Sequence, residues 1–152
     1  MTHDGKRQPR VAVLMGGRSA EREVSLNTGA QVAAALSGRG YAVTTIDTGD
    51  LGFIDRVQHL APDVAFICLH GRFGEDGTMQ GFLELLDVPY VGSGVLASAL
   101  AMDKVMSKRV FAQEGLLSPE YVHLRAGQPW SVEEITAALG PKTVTKPASE
   151  GS

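Results

Sequence analysis

Short apolar runs that alternate with helical segments constrain the fold of this chain more than any other feature. Residues 11–15 form an apolar run that meets Gly16 and Gly17, a pattern typical of a buried strand entering a tight turn. Residues 24–36 carry apolar side chains at helical spacing, and residues 41–47 alternate as a β-branched second strand. Because strand and helix alternate four times within about a hundred residues, the sequence predicts a parallel sheet with helices on both faces.

The rest of the chain continues this alternation as far as Met102 and then departs from it. The spacing predicts helices over 51–60, 79–86 and 95–102, and strands over 64–69 and 89–91. Beyond Asp103 it predicts helices over 104–114 and 132–139, and short strands over 121–124 and 144–146. We therefore expect one α/β domain over residues 1–102, with a polar tail over 1–10, and the start of a second domain over 103–152.

Composition excludes several classes of protein. The net charge of −3 leaves no basic surplus for binding nucleic acid or an anionic membrane. The single cysteine, Cys68, excludes an internal disulfide and a cysteine-cluster metal site, and we expect it to be a small core residue. No apolar run approaches the roughly 20 residues of a membrane-spanning helix. The N-terminal tail lacks the apolar core of a signal peptide. We expect a soluble cytoplasmic protein.

Three glycine-rich loops follow predicted strands. They span residues 16–22, 70–77 and 92–94, after the first, third and fourth strands. Parallel sheets bind ligands outside the carboxyl ends of their strands, so we expect these loops to share one edge and to form the functional site.

The third loop matches the G-x-G-x-x-A pattern of dinucleotide-binding proteins, with Gly92, Gly94 and Ala97. A dinucleotide fold needs that turn after its first strand, with an acidic residue closing the second. Here the pattern follows the fourth strand, and Glu114, at about the right distance, lies in a predicted helix. The sequence therefore favours a simple strand-to-helix turn over a nicotinamide or flavin site.

The first loop places Glu21 and Glu23 near the start of a helix. Acidic residues there interact favourably with the helix dipole, which is a purely structural role. A carboxylate at the carboxyl edge of the sheet could equally bind the ammonium group of an amino-acid substrate. The residues alone leave both roles open.

The second loop concentrates charged groups within eight residues. His70, Glu75 and Asp76 are potential metal ligands, although Asp76 could cap the next helix and Glu75 could pair with Arg72. Directly after a buried strand, His70 is better placed to contact substrate or to orient a carboxylate or phosphate.

Two lysines could contact phosphate groups. Lys104 follows Asp103, and Lys146 lies at the end of a predicted strand before Pro147. Surface lysines are usually only solvated charges. Lys146 precedes a Glu-Gly-Ser turn in an apolar context, which favours a phosphate-facing position.

Five segments occur together in one characteristic order: residues 16–25, 70–78, 92–98, 102–104 and 146–152. In these segments the chain resembles the N-terminal part of a D-alanine–D-alanine ligase of the ATP-grasp superfamily. The resemblance runs from about Arg10 to the last residue. It implies a Rossmann-like pre-ATP-grasp domain followed by the start of an α+β ATP-grasp domain.

The resemblance also implies a reaction and a set of roles. ATP would phosphorylate the carboxylate of one D-alanine, and the amine of a second would attack the acyl phosphate, for peptidoglycan synthesis. Glu21 and Ser152 would be catalytic, and Val24 and His70 would join them in binding the first substrate. Lys104 and Lys146 would bind the phosphates of ATP. The full-length protein would use Mg²⁺ or Mn²⁺, with metal ligands beyond residue 152, and would form a homodimer.

The resemblance further implies that these residues alone are a fragment without ligase activity, because the rest of the ATP site has no counterpart here. We expect no release of ADP by the isolated chain with D-alanine, ATP and magnesium. The alternative is a non-catalytic α/β module that binds a small molecule or a partner. Whether the second substrate is D-alanine or D-lactate is not encoded in these residues.

Overall fold

Four parallel strands form the central sheet in a computed structural model that describes residues 7–150. The strands are β1 (Arg10–Met15), β2 (Ala42–Asp47), β3 (Val64–Ile67) and β4 (Tyr90–Val91). Their order across the sheet is β2-β1-β3-β4, and Val11 pairs with Val43 on one side and Val64 on the other. The predicted α/β class with a parallel sheet is confirmed.

Six helices accompany the sheet within residues 7–150. They are α1 (Arg22–Gly38), α2 (Phe53–Leu60), α3 (Thr78–Leu85), α4 (Val95–Met102), α5 (Lys104–Gln113) and α6 (Val132–Leu139). Helix α6 begins with the predicted capping box, in which Ser131 Oγ accepts a hydrogen bond from the Glu134 amide at 3.1 Å. No helix in the described range is both long enough and apolar enough to cross a membrane.

The two faces of the sheet have separate apolar cores. Successive side chains of a strand point to opposite faces. Val11 and Val13 therefore pack with α1, whereas Ala12 and Leu14 pack with α2 and α3. The buried position of Cys68 in the α1 core confirms its expected role as a core residue, and burial raises the pKa of its thiol.

The C-terminal third differs from the prediction. Residues 121–124 and 144–146 were expected to form strands, yet within residues 7–150 neither segment pairs with a neighbouring strand. Apolar alternation alone does not make a strand, because the backbone groups need a hydrogen-bonding ladder. No residue from 103 to 150 is buried, and the buried core lies within residues 11–98. The domain boundary near Met102 stays a prediction.

Helix α1 approaches β1 closely at a glycine. Gly29 is buried, and a Cβ atom added there would lie 2.5 Å from Met15 Cβ. At the last residue of the same helix, a Cβ atom added to Gly38 would meet nothing within 4 Å. The contact between helix and strand therefore requires glycine at position 29 and not at position 38.

We expect Gly29→Ala to lower the free energy of unfolding by about 1–3 kcal/mol, because the new methyl group overpacks the contact with Met15. Gly38→Ala should leave it unchanged or raise it by up to about 1 kcal/mol, since alanine favours the helix. Urea denaturation of the two variants measures both effects. Equal stability of the two variants would contradict the close approach.

Candidate functional site

The direction in which strands are added to the sheet reverses between β1 and β3. Strand β2 lies beyond β1 on one side, and β3 and β4 lie on the other. A crevice forms at such a point, outside the carboxyl ends of the two strands, because the following loops diverge there. The loops that leave these two strands are the first and second glycine-rich loops of the sequence.

Ser25 joins these two loops. Its side chain is fully buried in α1, and its Oγ accepts a hydrogen bond from the Gly16 amide at 2.8 Å. The same hydroxyl donates to the Cys68 carbonyl at 2.6 Å. One side chain therefore holds the loop after β1 at a fixed distance from the end of β3.

An ion pair holds the first loop from the other side. Arg22 contacts Asp47 through two hydrogen bonds of 2.8 and 2.5 Å, and it also donates to the Gly17 carbonyl. The carboxylate of Asp47 accepts hydrogen bonds from the Gly17 and Gly49 amides. Gly17 has a φ of +81°, in the region that favours glycine. The hydrogen bond from Arg22, with those of the two amides, lowers the pKa of Asp47 to about 2.

Glu21 meets the second loop. It directly precedes α1, and its Oε2 would lie 3.0 Å from a Cβ atom added to Gly71. The spacing-based prediction that these loops share an edge is confirmed by this contact. His70 is partly buried, and its Nε2 is buried without a hydrogen-bond partner among residues 7–150. Val24, three residues after Glu21, is 56% exposed.

The carboxylates of the second loop bind its own backbone. Glu75 Oε2 accepts a hydrogen bond of 2.6 Å from the Gly71 amide. Asp76 accepts hydrogen bonds from the amides of Phe73 and Thr78, the latter at the start of α3. Although burial raises the pKa of Asp76, these hydrogen bonds lower it below its ordinary value. Asp76 therefore contacts the helix start, as its possible capping role requires.

Other interpretations of this loop are not supported. Arg72 forms no ion pair with Glu75 in the described part of the chain, and its guanidinium lies 4.8 Å from the ring centre of Phe73. Glu75 is occupied by the Gly71 amide instead. Residues 7–150 contain no group of three or more His, Cys, Asp and Glu side chains that could hold a metal ion.

The third loop reaches the second through the helices that follow them. A Cβ atom added to Gly77 would lie 2.8 Å from the Val95 carbonyl, so the starts of α3 and α4 are in contact. Ser98 closes the turn by donating from Oγ to the Ser93 carbonyl at 3.2 Å. This geometry matches the strand-to-helix turn that the sequence favoured.

Lys104 contacts the segment that follows Lys146. Its amide donates to the Ala148 carbonyl at 2.9 Å, and its Nζ donates to the Glu150 carbonyl at 2.5 Å. Lys146 is exposed. The structure thus brings the two predicted phosphate-binding segments together, but no hydrogen bond within residues 7–150 joins them to Glu21 or His70. Ser152 lies outside the described residues.

Sequence reasoning missed the groups that hold the site together. Ser25 is a buried hydroxyl on the side of α1 that faces the sheet, and Asp47 is the acidic residue at the carboxyl end of β2. A polar residue on a buried face signals a required hydrogen bond, because an unpaired one would destabilise the core. A polar residue in such a position predicts a hydrogen bond, but it does not identify the group to which the bond is made.

Comparisons with known sequences agree on one family. Residues 49–93 match the family described as D-ala D-ala ligase N-terminus. A D-alanine–D-alanine ligase of Geobacter sulfurreducens is 51% identical over 153 aligned residues, covering 100% of this chain and 47% of the relative. One of Syntrophotalea carbinolica is 53% identical and covers 95% of this chain and 46% of the relative. The chain spans about half the length of the curated relatives it matches.

Solved structures give the same result. The crystal structure of D-alanine–D-alanine ligase from Bacillus anthracis complexed with ATP matches with a TM-score of 0.81 and 37% sequence identity. The match covers 93% of this chain and 48% of that one. A second structure of the Bacillus anthracis enzyme matches with a TM-score of 0.77 and 36% identity, over 95% of this chain and 47% of that one.

We expect Ser25→Ala to lower the free energy of unfolding by about 2–4 kcal/mol, because it leaves the buried Gly16 amide and Cys68 carbonyl without this partner. Thr28→Ala is the matched control, since among the described residues the Thr28 hydroxyl donates only to the Val24 carbonyl within the same helix. Thr28→Ala should change the free energy of unfolding by less than about 0.5 kcal/mol. Thermal and urea unfolding measure both, and an equally mild Ser25→Ala would contradict the bridging role.

The Asp47–Arg22 pair predicts a pH dependence of stability. The pKa of Asp47 is about 2 in the folded protein against an ordinary 3.8, so the folded state favours the ionised form. This contribution, about 2 kcal/mol, is fully present well above pH 4 and is lost as the pH falls from 4 towards 2. Asp47→Asn should remove that part of the acid sensitivity. Asp50→Asn, at a side chain 55% exposed, should retain it, and unfolding measured from pH 2 to 6 distinguishes them.

Proposed function

We propose that this chain, which matches the N-terminal portion of the D-alanine–D-alanine ligase family in sequence and fold, forms part of an enzyme that joins two D-alanines using ATP. The chain would supply the binding site for the first D-alanine and part of the site for the ATP phosphates. The relatives support the activity, and the geometry of the first two loops supports the placement of the substrate.

The proposed reaction has two steps. The γ-phosphoryl group of ATP moves to a carboxylate oxygen of the first D-alanine, which gives an acyl phosphate and ADP. The amine nitrogen of the second D-alanine then attacks the carbonyl carbon. A C–N bond forms, the C–O bond to phosphate breaks, and the amine loses a proton. The product would serve peptidoglycan synthesis in the cytoplasm, and the full-length protein would be a homodimer.

One observation carries the placement of the first substrate: the Glu21 carboxylate lies against Gly71, next to His70. Glu21 forms no ion pair within residues 7–150, and the neighbouring Arg22 is bound to Asp47. His70 Nε2 is buried and has no partner in that same range. A zwitterionic amino acid would place its ammonium group on Glu21 and its carboxylate near the side chain of His70.

The remaining substrate contacts follow from the same placement. Val24 is exposed one turn into α1 and would contact the substrate beside Glu21. Ser152, outside the described residues, would be the hydrogen-bonding partner that completes the catalytic pair with Glu21. His70 would steady the charge that develops on the substrate carboxylate during phosphorylation.

Lys104 and Lys146 would bind the ATP phosphates. Lys104 Nζ now donates to the Glu150 carbonyl, which places its ammonium group beside the loop that follows Lys146. Preorganised cations near a transferring phosphoryl group stabilise the charge that develops on it. The ATP complex of the similar Bacillus anthracis enzyme supports the use of ATP. The carboxylates of residues 70–77 bind backbone amides and do not fit a Mg²⁺ or Mn²⁺ site, so the metal ligands would lie elsewhere in the full-length protein.

The full-length protein containing this segment tests the proposal through Glu21→Gln. Loss of the charge that faces the substrate ammonium should lower kcat/KM for D-alanine by about 10- to 150-fold, the equivalent of about 1.5–3 kcal/mol. Glu23→Gln is the control, because Glu23 lies on the first turn of the same helix and is exposed. It should change kcat/KM less than about twofold. ADP release measures the rates.

Two results would contradict the proposal. Equal effects of the two substitutions would remove Glu21 from the substrate site. Binding of D-alanine by the full-length protein without ADP release would favour the non-catalytic binding module instead.

A further inference from the structure

A buried amide side chain lies behind the second glycine-rich loop. Gln80 is on the first half of α3 and is only 5% exposed, alongside the core residues Met79 and Leu83. Its Nε2 donates a hydrogen bond of 3.0 Å to the Gly74 carbonyl. A glutamine in such a position is unusual, because long polar side chains are mostly exposed.

The amide can adopt only one orientation. Turning it over would place Oε1 against the Gly74 carbonyl, where two acceptors would repel each other. In the orientation observed, Oε1 is buried and has no hydrogen-bond partner among residues 7–150. An apolar side chain of similar size would avoid that unpaired acceptor, but it would leave the carbonyl of the buried Gly74 without this donor.

Gly74 is the tightest point of the loop. It is buried, and a Cβ atom added there would collide with the Leu69 side chain and lie 3.0 Å from the Leu69 backbone carbon. Leu69 directly precedes His70. The Gly74 amide also donates to the Gly71 carbonyl at 3.2 Å. A contact that holds Gly74 in place therefore also restrains Leu69 and Gly71, the residues on either side of His70.

The other side-chain hydrogen bonds of this loop, in the part of the chain that the structure describes, join residues within 71–78. Phe73 and Asp76 hydrogen-bond to each other within the loop, and Phe73 is 45% exposed with a φ of +68°, in the left-handed region that side chains rarely adopt. Gln80 is the contact that ties this turn to the buried face of α3. A loop that contains a strained residue keeps its conformation only when its surroundings hold it.

We propose that Gln80 is a positioning residue for the first-substrate site: through Gly74 it holds the 70–77 loop so that His70 and Gly71 face Glu21. The inference rests on the proposed function for its link to D-alanine, whereas the holding of the loop is independent of it. Gln80 does not touch the substrate in this assignment.

Gln80→Met in the full-length protein tests both parts. Methionine fills a similar volume but cannot donate to Gly74. Amide hydrogen exchange in a peptide covering residues 69–77 should accelerate about tenfold, while exchange in β1 stays unchanged. KM for D-alanine should rise about tenfold while KM for ATP changes less than twofold. Gln31→Met is the matched control, because Gln31 is exposed on α1 and, in the described part of the chain, its side chain hydrogen-bonds only to Asn27.

The outcomes separate the inference from the function on which it rests. Unchanged exchange in residues 69–77 would overturn the proposal, and so would equal increases in both KM values. If the unmutated full-length protein releases no ADP, the proposed function is contradicted. The exchange measurement would still test whether Gln80 holds the loop. If Gln80→Met fails to fold, Gln80→Leu gives the same test, since leucine is a smaller apolar side chain that favours the helix and also lacks the donor.

Discussion

The buried hydroxyl of Ser25 is the constraint on which the rest of the site depends. It accepts from the Gly16 amide and donates to the Cys68 carbonyl, at the point where the strand order reverses. Parallel sheets form a crevice at such a point, and a ligand can make defined contacts there only if the two loops that line it are held in place. A hydroxyl has one donor and two acceptor sites, so a single serine side chain can hydrogen-bond to the Gly16 amide and the Cys68 carbonyl at the same time.

The first turn of α1 combines three functions within five residues. Ser25 is buried and joins the two loops, Arg22 is bound to Asp47, and Glu21 remains without an ionic partner in the described chain. The Arg22–Asp47 pair matters for Glu21 because it occupies the nearest cation in the sequence. A carboxylate left unpaired at the crevice can then attract an ammonium group from outside. The charge of Arg22, held in an ion pair, therefore lies next to the charge of Glu21, which has no ionic partner in the described residues.

Much of this arrangement could be predicted from the sequence. Apolar runs and helical spacing located every strand of the sheet, and the glycine loops after β1 and β3 indicated the edge where Glu21 and Gly71 meet. The strands expected over 121–124 and 144–146 did not form, because pairing depends on a neighbour that local pattern does not reveal. The contacts of Ser25 and Asp47 could not be predicted for the same reason: each joins segments distant in sequence. Gln80 contacts Gly74 six residues away, but the local pattern does not reveal which loop carbonyl faces the buried side of α3.

We expect the two loops at the β1–β3 crevice to bind one amino acid between Glu21 and His70. A crystal structure of the full-length protein with D-alanine and a non-hydrolysable ATP analogue tests it most directly. We expect the substrate nitrogen within about 3.2 Å of a Glu21 carboxylate oxygen, and the substrate carboxylate within hydrogen-bond distance of a ring nitrogen of His70. D-alanine bound away from both residues, with Glu21 still unpaired, would contradict it.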